Sequence, residues 1–261
     1  ITPLNGFRQI TALHLSENQI SDVTPLENLR QLKELGVGGN QTSDVAPLVE
    51  SLKDSTQLTE LDLENNQISD VAPIKELTQL TKLNLSRNEI SDVSPLTILT
   101  QLRDLNLSSN RISDVTPLED LKQLTDLNLS SNQVNDVDPL KDLKQLTVLS
   151  LFNNELENIA SLNHLSQLRS LDLSKNCDPS VEELTSLTHL KHLWVDNIQQ
   201  SEIRAVEGFS CLEGLWICES DNCVNLSPLL SHPTLEHLEV TSCVAHMYLR
   251  DSGEGYRNYV C

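Results

Sequence analysis

An asparagine returns every 22 residues, at Asn18, Asn40, Asn66, Asn88, Asn110, Asn132, Asn154 and Asn176, and each closes the apolar pattern L-x-x-L-x-L-x-x-N; only the 26-residue step from Asn40 to Asn66 breaks the period. A fixed period of this length forces a solenoid, because no single repeat buries its own apolar edge and stacked neighbours must do it together. Inside each L-x-L, residues such as Leu83 and Leu85 alternate with Lys82, Asn84 and Ser86. Each repeat therefore supplies one short strand with a buried face and a solvent face.

The phase continues after the consensus fades. One further step from Asn176 lands on Ile198, the next on Ser220, and a step of 23 reaches Cys243, which makes eleven turns. An asparagine amide at this position can bond backbone groups of adjacent turns. Ile198 cannot do so and Ser220 has less reach, so the last third is expected to be less regular.

Between strands the chain reads I-S-D-V-x-P-L-x-x-L, as in Ile20 to Leu29, Ile90 to Leu99 and Ile112 to Leu121. Proline fixes φ at the start of a short turn, and the spacing leaves room for a 3-10 or single-turn helix only. The expected fold is an α/β solenoid: an arc of about eleven turns, with a parallel β-sheet on the concave face and short 3-10 or helical turns on the convex face. The four extra residues, around Val49 to Ser55, are expected to bulge from the convex side.

These motifs resemble leucine-rich repeats of the 22-residue class, found in bacterial internalins and in the eukaryotic regulatory subunit of protein phosphatase 1. The resemblance covers Ile1 to Leu190 by motif and the later turns by phase. Tyr256, Arg257 and Val260 also resemble the Y-R-x-x-V core of the cap that closes cytosolic proteins of this class. The expected domains are a solenoid over residues 1–254 and the start of a cap-like segment at 255–261. Beginning at Ile1 and ending at Cys261, the chain reads as a fragment of a longer protein.

A formal net charge of -20 argues against nucleic acid as a partner, since phosphate binding needs clustered Lys and Arg. It fits a partner with a basic patch. No apolar run approaches the length of a membrane span, so no membrane insertion is expected, and the solenoid reads as a monomer. Six cysteines leave bridges and packed thiols both open. Five N-x-[ST] sequons, three of them recurring at Asn84, Asn106 and Asn128, would put glycans on the strand face, which points to the cytoplasm, or to a bacterial surface or secreted protein without this glycosylation, rather than a eukaryotic secretory route.

No nucleophile and base spacing or phosphate loop occurs, so the expected class is a non-enzymatic module without cofactor. Cys218, Cys223, His232, His237, Cys243 and His246 fit no standard zinc spacing. What remains is the solvent side of the strands. Phe152, Asp172, His192, Trp194, Asp196, Trp216, Glu219, His237 and Glu239 form its later part, with both tryptophans in one column about 4.8 Å apart by sheet spacing. Glu60, Asp62, Glu64, Asp104 and Asp126 form an acidic shoulder before it. Aromatic anchors rimmed by charge mark a protein-binding surface. The alternatives are a segment of an internalin-type bacterial adhesion receptor and a regulatory subunit of a phosphatase-like enzyme.

Overall fold

The computed structural model describes residues 7, 9–20, 26, 29–177, 179–218 and 224–241. They fall into two compact units, Ile1–Val134 and Asn135–Cys261. Each unit is made of strands alternating with short helical turns.

In the first unit the strands are β1 (Ala12–His14), β2 (Glu34–Gly36), β3 (Glu60–Asp62), β4 (Lys82–Asn84), β5 (Asp104–Asn106) and β6 (Asp126–Asn128). They pair in chain order and in parallel, so that Leu13, Leu35, Leu61, Leu83, Leu105 and Leu127 share one row. From Leu35 on, these leucines are buried, as are Leu63, Leu85 and Leu107 one step along. Each buried leucine contributes roughly 1.5 to 3 kcal/mol of apolar transfer.

The asparagines bridge successive turns. Asn110 accepts the Ile90 N–H at 3.0 Å through Oδ1, while its Nδ2 donates to Leu107 O in its own turn and Leu85 O in the turn before, both at 3.0 Å. Asn66, Asn88 and Asn132 repeat this pattern. The tight bend has a conformational cost. Asn65, Arg87, Ser109 and Ser131, each one residue before a ladder asparagine, hold φ between 53° and 56°. Such left-handed backbone costs about 1 kcal/mol or more per non-glycine residue, which the ladder bonds offset.

Between strands, 3-10 turns run over Ala72–Glu76, Ser94–Ile98 and Thr116–Leu118, each with a proline in its first turn. The aspartate of I-S-D-V opens them: Oδ1 of Asp70, Asp92 and Asp114 accepts the N–H of Ala72, Ser94 and Thr116 at 2.8 Å. The 26-residue repeat departs from the expected bulge. Its extra residues complete a two-turn helix, α1 (Ala46–Leu52), that buries Leu48, Val49 and Leu52, and Ser55 beyond it is buried too. An apolar i, i+1, i+4 spacing makes packing more favourable than a loop.

The second unit contains β7 (Val148–Ser150), β8 (Ser170–Asp172), β9 (His192–Asp196), β10 (Gly214–Cys218) and β11 (His237–Val240). They too pair in parallel, with Leu149, Leu171, Leu193, Leu215 and Leu238 in one row. Short 3-10 turns cover Asp138–Asp142, Ala160–His164, Val181–Leu184 and Ser227–Ser231, and a five-residue helix, α2 (Ile203–Glu207), replaces one of them.

Regularity changes where the asparagine is lost, as expected, but the backbone is not abandoned. Ile198 is 1% exposed and packs as core. Glu202 takes over the polar task, accepting Gln199 N–H at 2.7 Å and, one turn back, Val181 N–H at 2.9 Å and the Ser180 hydroxyl at 2.8 Å. β9 and β10 lengthen to five residues rather than fraying. Ser220, Cys243 and the cap-like segment 255–261 lie outside the described residues. Among the described residues no helix is long and apolar enough to cross a membrane.

Candidate functional site on the strand face

Parallel register carries side chains of neighbouring strands into columns on the solvent face. Trp194 of β9 is the register partner of Trp216 of β10, which pairs in turn with Glu239 of β11. The two indoles stack face to face, with ring centroids 4.2 Å apart and planes 8° from parallel. His237 leans on the other side of Trp216 at 4.9 Å, and His192 sits about 6 Å from both tryptophans. Both rings are half-buried, and among the described residues neither indole N–H has a hydrogen-bond partner.

Gly214 makes this stack possible. A β-carbon there would lie 2.4 and 2.6 Å from two carbons of the Trp216 benzo ring. The indole therefore occupies the volume of the side chain that Gly214 lacks. The sequence signal for this is a glycine two residues before a tryptophan on one strand, which leaves room for the ring to lie along it.

The carboxylates differ sharply in environment. Asp172 is half-buried beside Trp194 in register, and burial pushes its carboxyl above the usual carboxylate range. Its Oδ1 accepts the Ser174 N–H at 3.0 Å and hydroxyl at 2.6 Å, and no cation among the described residues pairs with it. Asp196 accepts the backbone N–H of Lys175. Burial raises the Cys218 thiol, and negative Asp196 and Asp172 add to that. Glu239 pairs with His237 at 3.6 Å. The Phe152 ring carries the Lys175 ammonium 5.6 Å from its centroid. Glu219 lies outside the described residues.

The acidic shoulder belongs to the first unit, and part of its charge is compensated locally. Asp104 pairs with Lys82 at 2.8 Å and Glu64 with Arg87 at 3.6 Å, while Asp126 accepts the Thr125 hydroxyl at 2.7 Å. Asp62, Asn84, Asn106 and Asn128 each turn Oδ1 toward the N–H two residues on, at 2.9 to 3.1 Å. That column is therefore partly occupied in holding its own strand ends. Cys177, Cys211 and Cys218 are free thiols, whereas Cys223, Cys243, Cys261 and His246 lie outside the described residues. No group of three potential metal ligands meets among the described residues.

A family model described as leucine-rich repeats (2 copies) matches residues 56–98 and 100–142. The structure of internalin C2 from Listeria monocytogenes is 32% identical, covering 74% of this chain and 82% of that one, with a TM-score of 0.64. The chain belongs to the leucine-rich repeat family. An internalin, inlF, from the same organism is 30% identical over 91% of this chain with a TM-score of 0.67, and the repeats here span 63% of that protein. A repeat protein of Leptospira interrogans shares the fold at a TM-score of 0.74 and 20% identity, covering 93% of this chain and 75% of that one. No curated protein sequence matches the chain. Proteins built on this repeat are typically interaction scaffolds.

Proposed function

We propose that the second unit is a non-enzymatic protein-interaction module whose strand face, centred on Trp194 and Trp216, receives a protein partner bearing a basic patch. The observation that carries this reading is the stacked pair itself. Two large rings stand half-exposed on a sheet whose other face holds the core, and among the described residues neither indole N–H has a hydrogen-bond partner. Tryptophan in such a setting is the commonest hot-spot residue, contributing area at low entropy cost. Asp172, Asp196 and Glu239 around it select against acidic partners.

The test is affinity capture from cell extract with wild-type protein and a Trp194→Ala/Trp216→Ala double variant. Proteins retained by the wild type are expected to be lost by the variant, with roughly 2 to 4 kcal/mol of affinity removed. Folding is checked in parallel by circular dichroism. Undiminished capture by a folded double variant would refute the reading.

A second reading draws support from the two internalins at 30% and 32% identity: a segment of a bacterial surface receptor rather than a cytoplasmic module. The sequons at Asn84, Asn106 and Asn128, which would put glycans on the strand face, favour the cytoplasm over a eukaryotic secretory route. Fractionation of source cells with an antibody to the chain separates the two.

A further inference from the structure

We infer that Asp172 and the outer face of Trp194 form a seat for a guanidinium group, so that the partner of the strand face presents an arginine in an extended segment. This rests on the reading above and names the chemistry the face accepts. Trp216 covers one face of Trp194, from the β10 side. The opposite face therefore turns toward β8, whose register neighbours are Ser170 beside His192 and Asp172 beside Trp194. On the next strand Ser150 aligns with Asp172. All three are short side chains, so the indole rises beside a low floor about two strand spacings, roughly 10 Å, wide.

The floor carries one carboxylate that the fold leaves incompletely served. Ser174 occupies Oδ1 of Asp172, and Oδ2 has no hydrogen-bond partner among the described residues. The Lys175 ammonium on the same face sits over Phe152 instead. A half-buried carboxylate without a cation is costly to keep, and such groups concentrate where a ligand supplies the missing charge. A flat guanidinium satisfies both surfaces at once: its plane lies against the indole, and its N–H groups reach Oδ2. A primary ammonium meets the charge without the stacking.

Three short acetylated, amidated peptides test this: Gly-Arg-Gly, the same with lysine, and the same with citrulline, which keeps the shape of arginine and removes its charge. With two tryptophans in the chain, the indole N–H resonances report the site directly, assigned by a Trp194→Phe variant. The arginine peptide is expected to shift the Trp194 resonance saturably, the lysine peptide several-fold more weakly, and citrulline not at all. Asp172→Asn, which retains the shape and the Ser174 acceptor, is expected to weaken the arginine peptide at least tenfold. Equal binding of citrulline, or unchanged binding to Asp172→Asn, would overturn the seat. If captured partners depend on the tryptophans but not on Asp172, the seat falls and the interface stands; if the peptide binds as expected while capture ignores the tryptophans, the interface falls and the seat stands.

Discussion

Trp216 lies across Gly214 in the space that a side chain would fill, with ring carbons 2.4 and 2.6 Å from the position of an added β-carbon. The glycine is thus part of the aromatic platform. Gly214→Ala forces the indole to lift from its own strand, and with it the contact with Trp194. The expected cost is about 1 to 3 kcal/mol, as for other overpacked sites. The exciton signal of the stacked indoles in circular dichroism is expected to collapse. A variant with unchanged melting temperature and unchanged exciton signal would contradict the geometry.

Ladder position is expected to grade the effect of losing an asparagine. Asn110 is buried and serves two neighbouring backbone segments besides its own turn. Asn18 is exposed and donates to Leu15 O and Ser16 O of its own turn. Asn110→Leu should cost about 1 to 3 kcal/mol by stranding buried groups. Asn18→Leu should cost well under half as much. Denaturant melts of both variants check the ranking, and equal losses would defeat it.

Strand register was legible because the L-x-L and asparagine spacings are local and strictly periodic, so Trp194 beside Trp216 followed from counting. The polar substitutions that keep later turns closed were not. Glu202 reaches Val181 from four residues past the ladder position, a distance that no repeat pattern encodes. The insertion read as a bulge because its length was visible and its packing was not: Leu48, Val49 and Leu52 become one helix face only when the neighbouring turns are in place. Charge was legible in sum and not in pairing: the acidic shoulder could be counted from the sequence, but not that Lys82 stands beside Asp104.

The turn-opening aspartates predict a specific acid sensitivity. Hydrogen bonds from Ser94, chiefly its backbone N–H, hold Asp92 below the usual carboxylate range, and those from Thr116, led by its side chain, do the same for Asp114. A carboxylate with a lowered folded pKa contributes stability that is complete above its unfolded value and fades as pH falls through the folded one. Asp92→Ala and Asp114→Ala should each cost about 0.5 to 1 kcal/mol at pH 7, the range of a lost exposed cap. Both differences should shrink below the ordinary value of 3.8. Melting curves at pH 7 and pH 3 read this, and a penalty as large at pH 3 would mean the side chains act by packing instead.

Asp172 has the opposite sign. Burial disfavours its charged form, so its folded pKa stands above 3.8 and ionisation costs the folded state. That cost is fully present above the raised pKa and is relieved as pH falls through it, until well below 3.8 folded and unfolded chains are protonated alike. Asp172→Asn keeps Oδ1 for Ser174 and removes the charge. It should therefore raise stability at pH 7 by roughly 0.5 to 2 kcal/mol, the range usual when a strained functional group is relaxed. The gain should shrink steadily on acidification rather than persist. A protein that tolerates this charge for binding becomes more stable and less able to hold arginine with one substitution. If Asp172→Asn is instead destabilising at pH 7 and the loss is unchanged by acid, the carboxylate serves the fold and its burial has no functional reading.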